Sequence, residues 1–341
     1  MTGDHQVLTT RGWVPIAEVT IQHKVATLQG DHLKYETPTD VYKYDDIQDE
    51  LYDLRSEQVE ITCTNNHRMY VKKRDRKQYE LIEARKIMGK RVSYLKNAKL
   101  GIDIPNCREY FLLQAIDKKP ERKLEMTAWL QYMGIWFAEG WAETAQYRTV
   151  ICQIKPRVRS VLAQILPILG FRGVITTAQD KCIIYNKQLW TYMKPLSVGS
   201  RRKTLPDWVF ELSPDQSKIL LEAMLLGDGS TTNSGTRAYS SSSLALAENF
   251  QRLCIHSGVC ANLKRRENTP SIMKDGRIIT PNGPNYMVSV IVGTNSPTIN
   301  HSHVKKQNAQ SEKYIEGKGV SVYCISVRFY FVEFVVTKIW G

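Results

Sequence analysis

Two short stretches, "YMGIWFAEG" at 132–140 and "LEAMLLGDG" at 221–229, are built alike. Each is an apolar run with small residues four apart, Gly134 and Ala138 in the first, Ala223 and Gly227 in the second. Each then gives one acid and one glycine, Glu139–Gly140 and Asp228–Gly229, with the two acids 89 residues apart. Positions i and i+4 lie on one face of a helix. Two helices whose facing positions carry almost no side chain can approach backbone to backbone. The pattern therefore predicts two helices packed side by side about a pseudo-two-fold, with Glu139 and Asp228 meeting at their ends. The glycine after each acid is expected to permit a sharp turn into a strand.

The repeat extends downstream. Gly170 and Gly258, 88 residues apart, both follow amphipathic helical patterns, "RVRSVLAQILPILGF" and "SSLALAENFQRLCIHSG". In the first, Pro167 is expected to kink or stop the helix early. Apolar strands follow in both halves, "CIIYN" (182–186) and "YMVSVIV" (286–292). Before the second acid, "SPDQSKILLEAMLLG" starts with Ser213 as N-cap and Pro214 at the first helical position. The middle of the chain thus reads as two copies of a helix–strand–helix–strand unit.

Two carboxylates forced together repel unless a cation sits between them. Hard divalent cations take oxygen ligands, and such a site can serve phosphodiester hydrolysis. The charge distribution points the same way. Of a formal net charge of +13, residues 111–295 carry the excess, with 23 Lys and Arg against 14 Asp and Glu. A basic segment suits a polyanionic partner, most often nucleic acid.

The flanks differ in character. Residues 1–110 are a series of short alternating stretches separated by Gly, Asp and Asn, which reads as β-structure. Residues 296–320 are polar and read as a loop or linker, and "VSVYCISVRFYFVEFVVTKIWG" returns to dense strand character. One β-domain split by an inserted α/β domain accounts for the order. Seven scattered cysteines without a C-x-x-C pair suggest reduced thiols and no structural zinc. "MTGDHQVLTT" lacks the basic start and apolar core of a signal peptide, and no apolar run reaches membrane-spanning length. An intracellular setting, cytoplasm or nucleus, is expected.

With these residues in place, the two acid-bearing stretches resemble the paired motifs of LAGLIDADG homing endonucleases. The first carries Glu139 where the family usually has Asp. The flanks resemble inteins: "TGDHQVLTTRGWVPIAEV" (2–19) the first conserved block, "TCTNNHRMYV" (62–71) the block with Thr64 and His67, "VYCISV" (322–327) the penultimate block with Cys324, and "VVTKIWG" (335–341) the run into the C-terminal junction. The resemblance implies an all-β Hint splicing domain, discontinuous over 1–110 and 296–341. Within it would lie an α+β LAGLIDADG endonuclease domain at 111–295, with pseudo-two-fold αββαββα repeats at about 124–200 and 213–295.

Several roles follow from that resemblance. Glu139 and Asp228 would be catalytic and would hold Mg²⁺ or Mn²⁺. Lys181 and Lys264 are the candidates for the basic residue near each acid. Arg148, Lys155, Arg157, Arg237, Arg265, Arg266, Lys274 and Arg277 would contact a long, pseudo-symmetric site in double-stranded DNA, bound by a monomer. Thr64 and His67 would belong to the splicing centre. Met1 takes the second place of a C-x-T-G-D start, and the chain stops at Trp340–Gly341 without the family's terminal Asn. The expectation is therefore an intein whose two splice junctions are missing. The alternative is a DNA-binding protein on the same fold that no longer cuts.

Overall fold

A computed structural model describes residues 1–56, 58–96, 98–100, 107–152, 155–176, 180–231, 235–272, 277–279, 282–291, 296–299, 311–328 and 336–338. The chain is a sheet-rich mixed protein with six α-helices among the described residues. It divides into two units. The first comprises Met1–Ile102, Gly258–Asn262 and Ile291–Gly341, and the second Asp103–Ser257 and Leu263–Val290.

The first unit opens with strands β1 (His5–Thr9), β2 (Gly12–Pro15), β3 (Val25–Gln29), β4 (His32–Glu36), β5 (Asp40–Ile47), β6 (Leu51–Arg55) and β7 (Glu60–Thr64). It continues with β8 (Arg68–Lys73), β9 (Glu80–Glu83), a short helix α1 (Ala84–Ile87), β10 (Val92–Tyr94) and β11 (Lys99–Leu100). The second unit contributes β12 (Tyr110–Leu113), β13 (Arg122–Glu125), α2 (Met126–Glu139), β14 (Gly140–Glu143), β15 (Arg148–Ile151) and α3 (Pro156–Ile168). Then come β16 (Gly173–Thr176), β17 (Lys181–Tyr185), α4 (Lys187–Met193), α5 (Pro214–Asp228), β18 (Gly229–Thr231), β19 (Arg237–Ser241) and α6 (Leu244–His256). The chain proceeds through β20 (Cys260–Arg266), β21 (Ser271–Ile272), β22 (Ile278–Ile279) and β23 (Asn285–Ile291). It returns to the first unit as β24 (Thr298–Ile299), β25 (Ser311–Ile315), β26 (Val320–Ser326) and β27 (Val336–Lys338).

The first unit is a set of small sheets around one core. The largest runs β11-β4-β3-β1-β2, with β27 also on β1; the others are β24-β10-β8-β9, β25-β6-β7 and β26-β5. Val7, Val25, Leu54, Cys63, Val71 and Ile87 are among the buried residues that fill the core. The polar stretch at 296–320 departs from the loop expectation, because it supplies β24 and β25. Strand β25 pairs with β6 from Ser311↔Arg55 to Ile315↔Leu51. Its polarity is that of an edge strand with one solvated face. Glu312 fixes it, accepting from the Tyr52 hydroxyl at 2.7 Å and from the Gly89 amide at 2.9 Å.

In the second unit two antiparallel sheets, β14-β15-β17-β16 and β18-β19-β23-β20, accompany a central pair of helices. Helix α2 is capped by Glu125, whose carboxylate accepts from the amides of Thr127 at 3.0 Å and Ala128 at 2.6 Å. Helix α5 is capped by Ser213, which accepts from the Gln216 amide at 3.3 Å, with Pro214 in the first turn. Both are buried on most of their surface, and they pack on each other, while α3 lies on α2 and α6 on α5. A Cβ added to Gly134 would fall 2.5 Å from the Cβ of Ala223, and one added to Gly227 would collide with that of Ala138. The small residues are therefore the seam between the helices, and each pair joins positions 89 apart.

Two local expectations change. Gly140 and Gly229 have φ of −106° and −75°, values any residue adopts. They are required for space instead: a Cβ at Gly140 would strike the Trp136 ring, and one at Gly229 the Leu225 carbonyl. Pro167 does not stop α3 early, since it sits inside the last turn and the helix runs to Ile168. Gly170, at φ +61°, provides the left-handed residue just beyond the end.

Candidate functional site

Helices α2 and α5 end together, each in its acid. Glu139 and Asp228 are half-buried and share a hydrogen bond. Burial, then the charge of Asp228, pushes the Glu139 carboxyl up to about 7. Burial also raises Asp228, though the hydrogen bond from Glu139 and nearby ammonium groups oppose the rise. One proton is therefore held between the two carboxyls near neutral pH and belongs to the pair.

Two ammonium groups act on the pair. Lys203 follows a 3-10 turn at Ser200–Arg202, and its backbone carbonyl accepts from the Ser243 hydroxyl at 2.7 Å. Its buried Nζ donates to the carbonyls of Phe137 at 3.0 Å and Gly140 at 2.9 Å, and lies 5.1 Å from the Trp136 ring centre. Burial pulls this amine down to about 8, against the upward pull of Asp228 and Glu139. Lys155, the residue before α3, reaches the other helix end, donating to the Gly227 carbonyl at 2.9 Å. A cation at the C-terminal carbonyls of a helix meets the negative end of its dipole. Each carboxylate helix end thus carries one lysine. The buried Tyr239, opposite Gly229 in the β18–β19 register, also senses both acids.

The arrangement can hold a hard cation between two carboxylates whose proton it would displace. Among the described residues no group of three or more His, Cys, Asp or Glu side chains gathers to hold a metal alone. Among the described residues, Glu139 and Asp228 are the two carboxylate donors that would hold such a cation.

Other sequence-predicted residues fall in several places. Lys181 begins β17 with its ammonium 6.0 Å from the Trp141 ring centre, and Lys264 is half-exposed on β20; the cations acting on the acids are Lys155 and Lys203. Lys203 lies in "RRKTLP", where nothing local separates it from Arg201 and Arg202. Arg148 is ion-paired with Glu143, Arg237 takes Glu222 in a two-pronged pair at 2.6 and 2.9 Å, and Arg265 takes Glu267 at 2.7 Å. Arg157 donates to the Leu226 carbonyl at 3.3 Å. Arg266 and Arg277 are exposed, and Lys274 lies outside the described residues.

In the first unit Thr64 and His67 sit across one turn, the His67 amide donating to the Thr64 carbonyl at 3.0 Å. With Met1, Asn65, Arg85 and Cys324 they line a cleft of about 1050 Å³. Met1 pairs with Tyr323, its amino group donating to the Tyr323 carbonyl at 2.9 Å and its carbonyl accepting from the Tyr323 amide at 2.7 Å. No disulfide joins the cysteines, and no helix among the described residues is long and apolar enough to cross a membrane.

No family model matches the chain. It is similar to the C-terminal section of a DNA-directed RNA polymerase subunit beta from Stigeoclonium helveticum, 33% identical over 96% of this chain and 34% of that protein. It is also similar to an ATP-dependent Clp protease proteolytic subunit from Chlamydomonas moewusii, 37% identical over 82% of this chain and 30% of that protein. The chain thus spans about a third of each relative's length. Among solved structures, a variant of I-DmoI bound to its target DNA in the presence of Mg aligns over 49% of this chain and 90% of its own, at 12% identity and a TM-score of 0.34. A splice-inactive AceL NrdHF class 3 split intein aligns over 37% of this chain and 69% of its own, at 18% identity and a TM-score of 0.23.

Proposed function

We propose that the second unit is a site-specific, divalent-metal-dependent DNA endonuclease of the LAGLIDADG type, and that the first is a Hint splicing domain around it. The observation that carries the reading is the carboxyl pair at the ends of two helices packed through glycine and alanine. Such a pair is costly for the empty protein, since burial and mutual repulsion hold a proton on Glu139 near neutral pH. A binding role for divalent metal explains why the cost is retained. The relatives support the insertion reading. Largely the same stretch of this chain resembles a third of a polymerase subunit and a third of a protease subunit. A segment shared by hosts of unrelated activity behaves as a mobile insert.

In this reading Glu139 and Asp228 hold Mg²⁺ or Mn²⁺ jointly. The metal, when bound, supplies Lewis-acid stabilisation of charge on the phosphodiester oxygens. Glu139 and Asp228 would give up their shared proton where they hold that cation. Lys203 and Lys155 place ammonium groups beside the acids, where they offset negative charge as the phosphate approaches. The basic surface of this unit supplies salt-sensitive affinity for the duplex. The protein works inside the cell as a monomer, since both acids come from one chain. In the first unit, Thr64 and His67 would polarise a backbone amide at a splice junction.

The test is incubation with Mg²⁺ and DNA carrying the host coding sequence joined across this segment. Double-strand cutting that disappears in Asp228→Asn supports the reading. Tight, specific binding by the unmodified protein without cutting would establish the alternative, a DNA-binding protein that has lost cleavage.

A further inference from the structure

Strands β12 and β13 form a hairpin that is part of neither four-stranded sheet. Its turn is tight: Ile116 and Lys119 exchange backbone hydrogen bonds of 3.0 and 2.9 Å, and Asp117 takes a φ of +50°. The turn is anchored at α4. The Gln188 amide donates to the carbonyls of Gln114 at 2.8 Å and Pro120 at 2.9 Å, one on each arm. Lys187 binds the Asp117 carboxylate at 2.8 Å. The same ammonium lies 5.2 Å from the Tyr147 ring centre, which itself packs edge-on against Trp190.

These contacts fix the turn at one end of the β14-β15-β17-β16 sheet. Arg148 and Tyr185 are paired in register at that end, while Gly140, Ile151 and Cys182 lie at the end next to Glu139. On β17, Cys182 and Ile184 are buried toward the helices, so Lys181, Ile183 and Tyr185 face outward. Through Lys187, whose ammonium also reaches the Tyr147 ring, the turn is held at the end of this sheet away from the acids. It presents Lys118 and Lys119, and β13 adds Lys123, whose ammonium lies 5.8 Å from the Tyr110 ring centre; all three are exposed. Lys118 and Lys119 make no ion pair among the described residues; of the two acids of the turn, Asp117 is bound by Lys187 and Glu121 is exposed.

We propose that this hairpin is a phosphate-backbone contact, carrying the DNA footprint beyond the outer end of the first sheet. The inference rests on the DNA-binding reading above and adds a surface to it. Positive charge held on a rigid turn, at the end of a sheet whose outer face bears Arg148 and Lys181, complements the phosphate rows of a duplex that overruns the sheet. Backbone contacts of this kind set register and orientation and are blind to sequence.

The test begins with a duplex selected by the unmodified protein from a randomised pool. Its dissociation constant is then followed against KCl for the unmodified protein and for the triple variant Lys118→Ala, Lys119→Ala, Lys123→Ala. The salt slope should fall by about one for each lysine that meets a phosphate. Trimming the duplex from one end should remove the difference, so that the two proteins bind the shortened duplex alike. An unchanged slope, or equal weakening on long and trimmed duplexes, overturns the proposal and leaves a merely solvated turn. If the unmodified protein selects no duplex, the DNA-binding reading falls as well.

Discussion

Glu139 and Asp228, 89 residues apart in sequence, share a hydrogen bond, and burial with mutual repulsion holds its proton near neutral pH. The pair sits at the end of a helix seam, where burial and the nearness of a second carboxyl keep a proton bound. Its first consequence can be measured without any knowledge of the DNA site.

The first consequence is a pH dependence of stability. Glu139 is raised in the folded state from an ordinary 4.5 to about 7. The folded chain therefore binds this proton more tightly than the unfolded chain, and its contribution to stability is lost as pH rises from about 4.5 to about 7. Mg²⁺ should raise the melting temperature more at pH 8 than at pH 5. Asp228→Asn, which removes the repulsion, should flatten the pH trend and abolish the metal effect. Equal stabilisation by Mg²⁺ at both pH values would refute the bridge.

Lys203 should set the working pH of the pair. Its charge lowers the Glu139 carboxyl, and its Nζ satisfies the carbonyls of Phe137 and Gly140. Lys203→Met leaves those carbonyls without this donor, at a cost of about 1–3 kcal/mol each. It also moves the rise of cleavage with pH upward. Calorimetry and a pH–rate profile check the two halves separately. A less stable protein with an unmoved profile would make Lys203 purely structural.

A third prediction concerns acid. His256 is buried on α6, edge-on to Phe210 at 5.9 Å, and Arg252 stacks on the same ring at 3.8 Å. Burial, then the Arg252 charge, pushes the imidazole down to about 3. The unfolded chain takes up a proton below about 6.5 that the folded chain refuses, so stability present at neutral pH is lost as pH falls from about 6.5 toward 3. The slope from this one group is up to about 1.4 kcal/mol per pH unit. His256→Leu should remove that slope from the acid limb of the stability curve; an identical acid limb in the variant would show that the group titrates freely.

The seam itself is the fourth. Gly134→Val would drive a branched side chain into Ala223 and the Leu220 carbonyl. Overpacking of this kind costs about 1–3 kcal/mol, and more where backbone is struck. The melting temperature should drop and metal stabilisation with it, because the acids separate. An unperturbed melting temperature would mean the helices do not pack as described.

What the sequence made legible and what it hid divide along physical lines. The Ser213 cap, Pro214, the small-residue seam and the two acids are local signals with one structural solution. Lys203 was invisible because its importance comes from burial against Phe137 and Gly140, far away in the chain and silent in "RRKTLP". Strand β25 was invisible because an edge strand can be almost wholly polar. Glycines 140 and 229 were found for the wrong reason: they make room for Trp136 and Leu225 rather than enabling an unusual backbone angle. Arginines 148 and 237 occupy matched places in the two halves, yet only the structure shows that each is engaged by a glutamate from a different direction.

At the seam, Gly134 meets Ala223 and Ala138 meets Gly227, so each position touches its own counterpart. Were the two helices copies encoded once, any substitution would enter the interface twice, and a side chain added on one side would collide with itself. Written twice in a single chain, the interface lets one side grow while the other shrinks. Glycine and alanine have indeed changed places between the two contacts. The same freedom extends to the ends of the helices, where the counterparts are Glu139 and Asp228, and to Lys155, whose counterpart Ser243 steadies the Lys203 backbone instead. With both helices written in one chain, the two sides of the seam are free to differ.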